Sequence, residues 1–303
     1  MVRVGGTMFK DGVLVDLHIG FWRAHKSLDP IDLKMRREDI PDIFKLGTKL
    51  LMPQEELKKF NNLEHKARKR LEALSFPFFV GTTCRFVPLK SLQQVVEDLK
   101  KAKVEFEYLV SHMIDNYRDN REKMLIQYHD IRESLEPFYP TITALYNKYY
   151  FKWNVFEIGE ITEACASELK EEYDNFKRKL SEEFNIFLES SVKELRSEVS
   201  STCVKLLKRI ENGEIIKDQT INSVRNVIDR FEKLNFVGDL KVSQSLEMLK
   251  GMIATGSGKD FSESVEMKQR LGNLAKEVSV AANDLSDIDT ITGEYLRKIR
   301  VRS

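Results

Sequence analysis

Apolar and polar residues alternate near the start of this chain. In GVLVDLHIGFW, Val13, Val15, Leu17, Ile19 and Phe21 fall on one face at period two, the pattern of a half-buried strand. FPFFVGTTCRFVP is a second strand candidate, aromatic and β-branched around Phe79 and bounded by prolines. Two isolated strands are marginal in water, so they are expected to pair under a covering helix. PQEELKKFNNLEHKARKRLEAL supplies that helix: Leu57, Phe60, Ala67, Leu71 and Leu74 recur at helical spacing after Pro53.

After Pro88 the period lengthens. Leu92, Val95, Val96, Leu99, Phe106, Leu109, Met113, Tyr117, Met124, Tyr128, Ile131 and Leu135 keep helical spacing across more than forty residues, up to Pro137. One helix of that length would run on the order of 65 Å. YPTITALYNKYYFKWNVFEIGEIT then crowds Tyr146, Tyr149, Tyr150, Phe151, Trp153 and Phe156 together without a clear period. It reads as a hydrophobic corner where long helices meet, with an exposed partner-binding patch as the sharper alternative.

A single helix is expected from about Thr162 to Asn212. Its stripe runs Tyr173, Phe176, Leu180, Phe184, Phe187, Val192 (or Ser191), Leu195, Val199, Cys203, Leu206 and Ile210, ten steps at 3.7 residues each. That spacing is nearer an eleven-residue repeat than a heptad, and predicts straight or slightly right-handed helix pairing. Asn212-Gly213 is its C-terminal stop. Ile221, Val224, Val227, Ile228, Phe231 and Leu234 form the next face, NFVGD bends the chain, and Leu240, Leu246, Leu249 and Ile253 resume it. A last helix is expected from about Phe261 to Ser286.

All seven prolines lie at or before Pro140, and the rest of the chain has none. Proline breaks helix interiors, so the front is punctuated and the back can run as uninterrupted helix. The fold expected is mainly α: an elongated, coiled-coil-like bundle of long antiparallel helices with a small two-stranded α+β element near the N-terminus. The division expected is a mixed head over residues 1–88 and a helical stalk over 89–303.

Composition agrees with exposed helical surface. Charged residues make up 32% and hydrophobic residues 42% of 303, with 49 basic and 48 acidic side chains. A net charge of +1 gives no global pull toward nucleic acid or anionic lipid. Cys84, Cys165 and Cys203 are too few and too widely spaced for a disulfide framework or a zinc site. The start holds no uninterrupted apolar core after its early arginine and no run reaches about 20 apolar residues, so no secretory signal and a cytoplasmic protein are expected.

The loudest motif is GSGK, at Gly256–Lys259. A phosphate loop needs an earlier glycine where Ile253 stands, and a hydroxyl where Asp260 stands. The stretch reads as a flexible hinge between helices. His18 and His25 flank Trp22 and Arg23, which would make an anion or metal pair only if the chain folded back; a strand end under solvent is the plainer reading. Acidic runs such as ELKEEYD lack the Glu-x-x-His pairs of a carboxylate metal site. The basic end, Arg297, Lys298, Arg300 and Arg302, suits a helix C-terminus. No cofactor or metal motif is present, and no catalytic grouping can be named.

Five ordered blocks carry a family resemblance: GVLVDLHIGFWRAHKSLDPIDL, KLGTKLLMPQEELKKFNNLEHKARKRLE, FPFFVGTTCRFVP, YYFKWNVFEI and TINSVRNVIDRFEKLNFVGDLKVSQSLEML. Over roughly residues 10–280 the chain resembles a widespread bacterial and phage family catalogued only as a domain of unknown function. The family's genes often stand beside MoxR-like AAA+ ATPases and cobaltochelatase-like proteins with a von Willebrand-type domain. The resemblance thus implies an adaptor or substrate-side component for such an ATPase, and transfers no catalytic residue.

Three functions compete. A non-enzymatic helical scaffold or adaptor, bound to a protein partner or to itself, is the leading expectation. The alternatives are a membrane-active protein hiding an apolar tongue, interrupted here by Asp16 and Arg85, and a nucleic-acid-associated accessory protein, disfavoured by the balanced charge. The interaction candidates are Trp22, Arg23, His25, Tyr149, Trp153, Phe231, Asn235 and Phe236.

Overall fold

A computed structural model describes residues 11–33, 36, 47–79, 83–157 and 170–302. Among them the chain is mainly α. Its strands are β1 (Gly12–Gly20), β2 (His25–Ser27), β3 (Thr48–Leu50), β4 (Phe76–Pro77), β5 (Arg85–Pro88) and β6 (Tyr150–Phe156). Its helices are α1 (Gln54–Ala73), α2 (Leu89–Asp115), α3 (Tyr117–Gln127), α4 (Arg132–Leu135), α5 (Ile142–Tyr146) and α6 (Lys170–Glu211). They continue as α7 (Asp218–Leu234), α8 (Leu240–Ala254), α9 (Gly258–Glu263), α10 (Val265–Asn283) and α11 (Ile288–Arg302).

The two-stranded element expected from the sequence is a four-stranded sheet of order β4-β5-β1-β6 plus a separate pair, β2-β3. β1 runs antiparallel to β5 with Val13 opposite Val87 and Val15 opposite Arg85. All five alternating residues of the first segment, Val13, Val15, Leu17, Ile19 and Phe21, are buried. β6 was hidden in the aromatic stretch: Phe151 is buried and Trp153 half-buried, while Tyr150, Lys152 and Asn154 are exposed. The density of rings masked a period of two.

The chain forms two compact units. The first comprises Met1–Val15, Glu72–Gln93 and Val155–Ser303; the second comprises Asp16–Leu71 and Gln94–Asn154. In the first, α6 packs along α10, α7 and α11, and α8 packs on α10 and α7. The α6 stripe is buried through Phe184, Phe187, Val192, Leu195, Val199, Cys203 and Leu206, as its spacing requires. Its expected start near Thr162 lies outside the described residues. Its stop is as expected: Gly213 has φ +70, a left-handed conformation that glycine adopts without a Cβ clash. The NFVGD break separates α7 from α8, with Gly238 at φ +85.

The second unit is built on rings. Phe21 stacks on Phe60 at 5.3 Å, and Phe60 meets Phe106 edge-on at 5.7 Å. The buried residues of α1, namely Leu57, Phe60, Leu63, Ala67 and Leu71, form one stripe. Full burial of each large apolar side chain is worth about 1.5–3 kcal/mol.

The unbroken helix expected from Pro88 to Pro137 is instead α2, α3 and α4, joined by kinks and 3-10 turns. Asn116 interrupts it at φ −94, ψ 4. Its side-chain amide donates to the His112 carbonyl at 2.8 Å, competing with the helical ladder. Beyond it, Tyr117 Oη donates to the Pro140 carbonyl at 2.7 Å, which ties the returning chain to α3. The last expected helix is likewise two, because Ser264 caps α10 through the Met267 N–H.

Candidate functional site

One face of α6 is not covered by the core. Glu183, Ile186, Phe187, Ser190 and Glu194 follow one another along it, and β4 with Phe79 forms the opposite wall. Between them lies a groove of about 420 Å³. Its floor is rigid. Phe76 and Phe187 are buried, and Phe187 meets Phe78 at 5.1 Å, Phe86 at 5.3 Å and Phe236 at 6.1 Å between ring centroids. Such contacts add to area burial and fix ring orientation. Phe79 stacks on Phe78 at 4.1 Å with φ +57, an uncommon conformation for a non-glycine residue. Ile186 is 61% exposed at the lip. The rim is acidic: Glu183 and Glu194 are exposed, and Glu194 pairs with Arg230 at 3.5 Å.

Two buried ionic clusters hold the backbone instead of opening onto solvent. In the first unit, Arg196 binds Asp239 and Asp287 bidentately and donates to the Asp284 carbonyl. Burial disfavours its charge, but its hydrogen bonds to the Asp239 and Asp287 carboxylates outweigh that and raise its pKa. In the second unit, Lys49 Nζ donates to Asp32 Oδ2 at 2.7 Å and to Ser134 Oγ at 3.2 Å, while Ser134 Oγ donates to Asp32. A serine beside a lysine raises the question of a nucleophile and its base. Here burial pushes the Asp32 carboxyl up, and hydrogen bonds from Lys49, Ser134 and the Asp29 N–H outweigh it, holding it below the ordinary range. With Lys49 and Ser134 both bound to Asp32, the cluster joins β3, the 3-10 turn Pro30–Leu33 and α4 as a staple. Among the described residues no three His, Cys, Asp or Glu side chains converge to hold a metal ion.

A family model described as "Protein of unknown function (DUF3150)" matches residues 9–257. The chain belongs to this family. No curated protein and no solved structure matches it. The residues that line the groove and the five blocks of the resemblance fall inside the span shared with the family, as do Arg196 and Asp239; Asp284 and Asp287 lie beyond it.

The sequence candidates occupy three places. Trp22 packs edge-on against Tyr117 and Tyr139, at 5.9 and 6.4 Å. Arg23 lies over the Phe21 ring at 3.9 Å and donates to Asn61 and Glu64. His25 is exposed on β2, with Nδ1 3.4 Å from Thr48 Oγ1. Tyr149 packs on Phe60 at 5.3 Å, burial pushes its phenol up, and its Oη lacks a hydrogen-bond partner. Trp153 meets Phe151 edge-on at 6.2 Å. Phe231 is buried. Asn235 Oδ1 accepts from the Gly238 and Asp239 N–H groups, and its Nδ2 donates to Ser243 Oγ. It thus shapes the turn that places Asp239 against Arg196. Only Phe236 approaches the groove, beneath its floor.

The groove residues themselves were not singled out in the sequence. The available signal is Ile186, an apolar residue one position off the buried Phe187 stripe.

GSGK is tighter than the hinge read from the sequence. Ser257 and Asp260 form a capping box that starts α9. Gly258 N–H donates to Asp218 Oδ1 at 2.7 Å. A Cβ on Gly258 would meet Asp218 N at 2.5 Å. The glycine serves close backbone packing, and carboxylates occupy the positions a phosphate would need.

Proposed function

We propose that this protein is a non-enzymatic helical scaffold or adaptor that receives an apolar side chain of a protein partner in the groove between α6 and β4. The observation that carries this reading is the pairing of a buried phenylalanine floor with an apolar lip formed by exposed Ile186 and half-buried Phe79. Exposed contiguous apolar surface rimmed by charge is the usual mark of an interaction site. The Glu183 and Glu194 rim favours a segment whose apolar anchor is flanked by lysine or arginine. A MoxR-like AAA+ ATPase, implied by the family resemblance, is the partner to test first. The elongated, coiled-coil-like form expected from the sequence belongs to this reading and is testable by small-angle scattering.

Seating one Leu- or Ile-sized anchor is worth about 1.5–3 kcal/mol, or about ten- to a hundredfold in affinity. The test is co-purification and calorimetry with the ATPase encoded beside the gene, using Ile186→Lys and Glu183→Lys. Ile186 is exposed, so the helix stays folded, as circular dichroism would verify. Weakening by about tenfold or more supports the groove. Equal binding by both variants, or no binding by the parent protein, overturns it. Concentration-dependent dimerisation abolished by Ile186→Lys would identify a second copy as the occupant.

Among the described residues no helix is long and apolar enough to cross a membrane.

A further inference from the structure

Where α6 ends and α7 begins, the two helices enclose a second cleft of about 440 Å³. Its chemistry is opposite to that of the groove. Lys205, Lys208 and Arg209 project from α6, and Lys217 stands at the start of α7. Hydroxyl donors from Thr202, Thr220 and Ser223 and the Gln219 amide complete the polar lining. Leu206 is the one apolar side chain in it, and no carboxylate lines it. Four cations against one adjoining carboxylate, that of Glu214, depart from the balance of a chain whose net charge is +1.

These cations are also spare. Arg209 shares a carboxylate, Glu214, at 3.3 Å. Among the described residues Lys205, Lys208 and Lys217 have no carboxylate within ion-pair distance. Several other cations of α6 and α7 are paired: Lys193 with Glu189, Arg230 with Glu198 and Lys233 with Asp229. Like charges held together without counter-charge repel one another, and an anion with several charges relieves that cost.

We propose that this cleft binds a small ligand carrying two or more adjacent phosphoryl groups. Three unpaired ammonium groups and a shared guanidinium match the charge of a diphosphate better than that of a single carboxylate or phosphate. Phosphoryl oxygens accept from both the ammonium groups and the neighbouring hydroxyls. The volume lies within the range of small-molecule sites, about 300–1,000 Å³. The aliphatic stems of the lysines and Leu206 supply the apolar part of the lining, and the ammonium, guanidinium and hydroxyl groups are left to recognise the phosphoryl oxygens.

The test is calorimetric titration of the full chain with inorganic pyrophosphate at about 50 mM salt. Orthophosphate, sulfate and a short oligothymidylate serve as comparison ligands. Saturable binding of pyrophosphate, about tenfold or more tighter than orthophosphate, is expected. The double variant Lys205→Glu/Lys208→Glu, and separately Lys217→Glu on the other helix, should each weaken it by about tenfold or more. All three lysines are exposed, and helical content checks that the variants fold. Absence of binding at about 1 mM pyrophosphate overturns the proposal. So does unchanged binding by the variants, equal binding of sulfate, or binding of the oligonucleotide alone.

Discussion

Replacing Arg196 by alanine is expected to cost about 3–5 kcal/mol, the range for breaking a buried ion pair and stranding its partner. Arg196 is 0% exposed on α6. Its Nε and Nη2 donate to the two Asp239 oxygens at 2.7 and 3.1 Å, and Nη1 and Nη2 to those of Asp287 at 2.7 and 3.2 Å. Asp239 is 2% exposed and is the N-cap of α8, accepting from the Val242 N–H. Without Arg196 that N–H is its one remaining side-chain donor among those seen, and the carboxylate stays in a nearly dry site. The Asp287 side chain is 29% exposed, so water screens it and it adds less. At about 2–4 °C per kcal/mol for chains of this order, the melting temperature falls by about 6–20 °C.

Thermal and urea unfolding of Arg196→Ala, Asp239→Asn and Arg196→Met/Asp239→Asn complete the test. The double variant strands no fully buried charge, leaving only part-exposed Asp287 without its arginine, and should be more stable than Arg196→Ala. The acid limb adds a second readout. Hydrogen bonds from Arg196 to Asp287, and from Lys241 and Ser286 to Asp284, hold both carboxyls below their ordinary range. A depressed folded pKa means that the unfolded chain takes up protons first as pH falls. This stability is therefore present above about pH 4 and is lost as pH drops further. Arg196→Ala should flatten that loss. A shift under about 2 °C in Arg196→Ala, or a double variant no more stable than Arg196→Ala, would refute the reasoning.

Two further outcomes follow from packing. Gly258→Ala drives a Cβ to 2.5 Å from Asp218 N and 2.6 Å from the Lys217 carbonyl carbon, and should destabilise by about 1–3 kcal/mol in urea unfolding. Gly251→Ala, within α8 and with nothing near its Cβ, should instead stabilise by about 0.5–1 kcal/mol; the same sign at both positions would discredit the contact. Burial pushes the Cys203 thiol up to about 12, so iodoacetamide mapped by mass spectrometry at mild alkaline pH should label it only on unfolding. Cys84, half-exposed, should react in the native protein; early labelling of Cys203 would show that α6 opens locally.

β1 was legible because Val13 to Phe21 alternate without interruption, and α7 because six apolar residues repeat on one face. β6 was not, because Tyr149 to Phe156 supply apolar residues at nearly every position and leave no period to read. The helix after Pro88 was over-extended, because it leaves helical geometry at Asn116, where neither proline nor glycine marks the position. Gly258 looked like freedom and is close packing, since a glycine's neighbours in space are invisible to its neighbours in sequence. Of the interaction candidates, Asn235 and Phe236 lie where the structure concentrates contacts, but Asn235 shapes a turn and Phe236 underlies the groove floor.

The sequence by itself determined what is local: where apolar period is two and where it is helical, where proline stops helices, and where Gly213 and Gly238 must turn. Family membership was also written in five ordered blocks. Only the tertiary structure decided what depends on distance across the chain. Arg196 meets partners 43 and 91 residues away, and the groove faces Phe79 with Ile186 from another element. Periodicity reports which side of an element is buried; it carries no information on which other element covers that side, and a pocket exists only once both are placed.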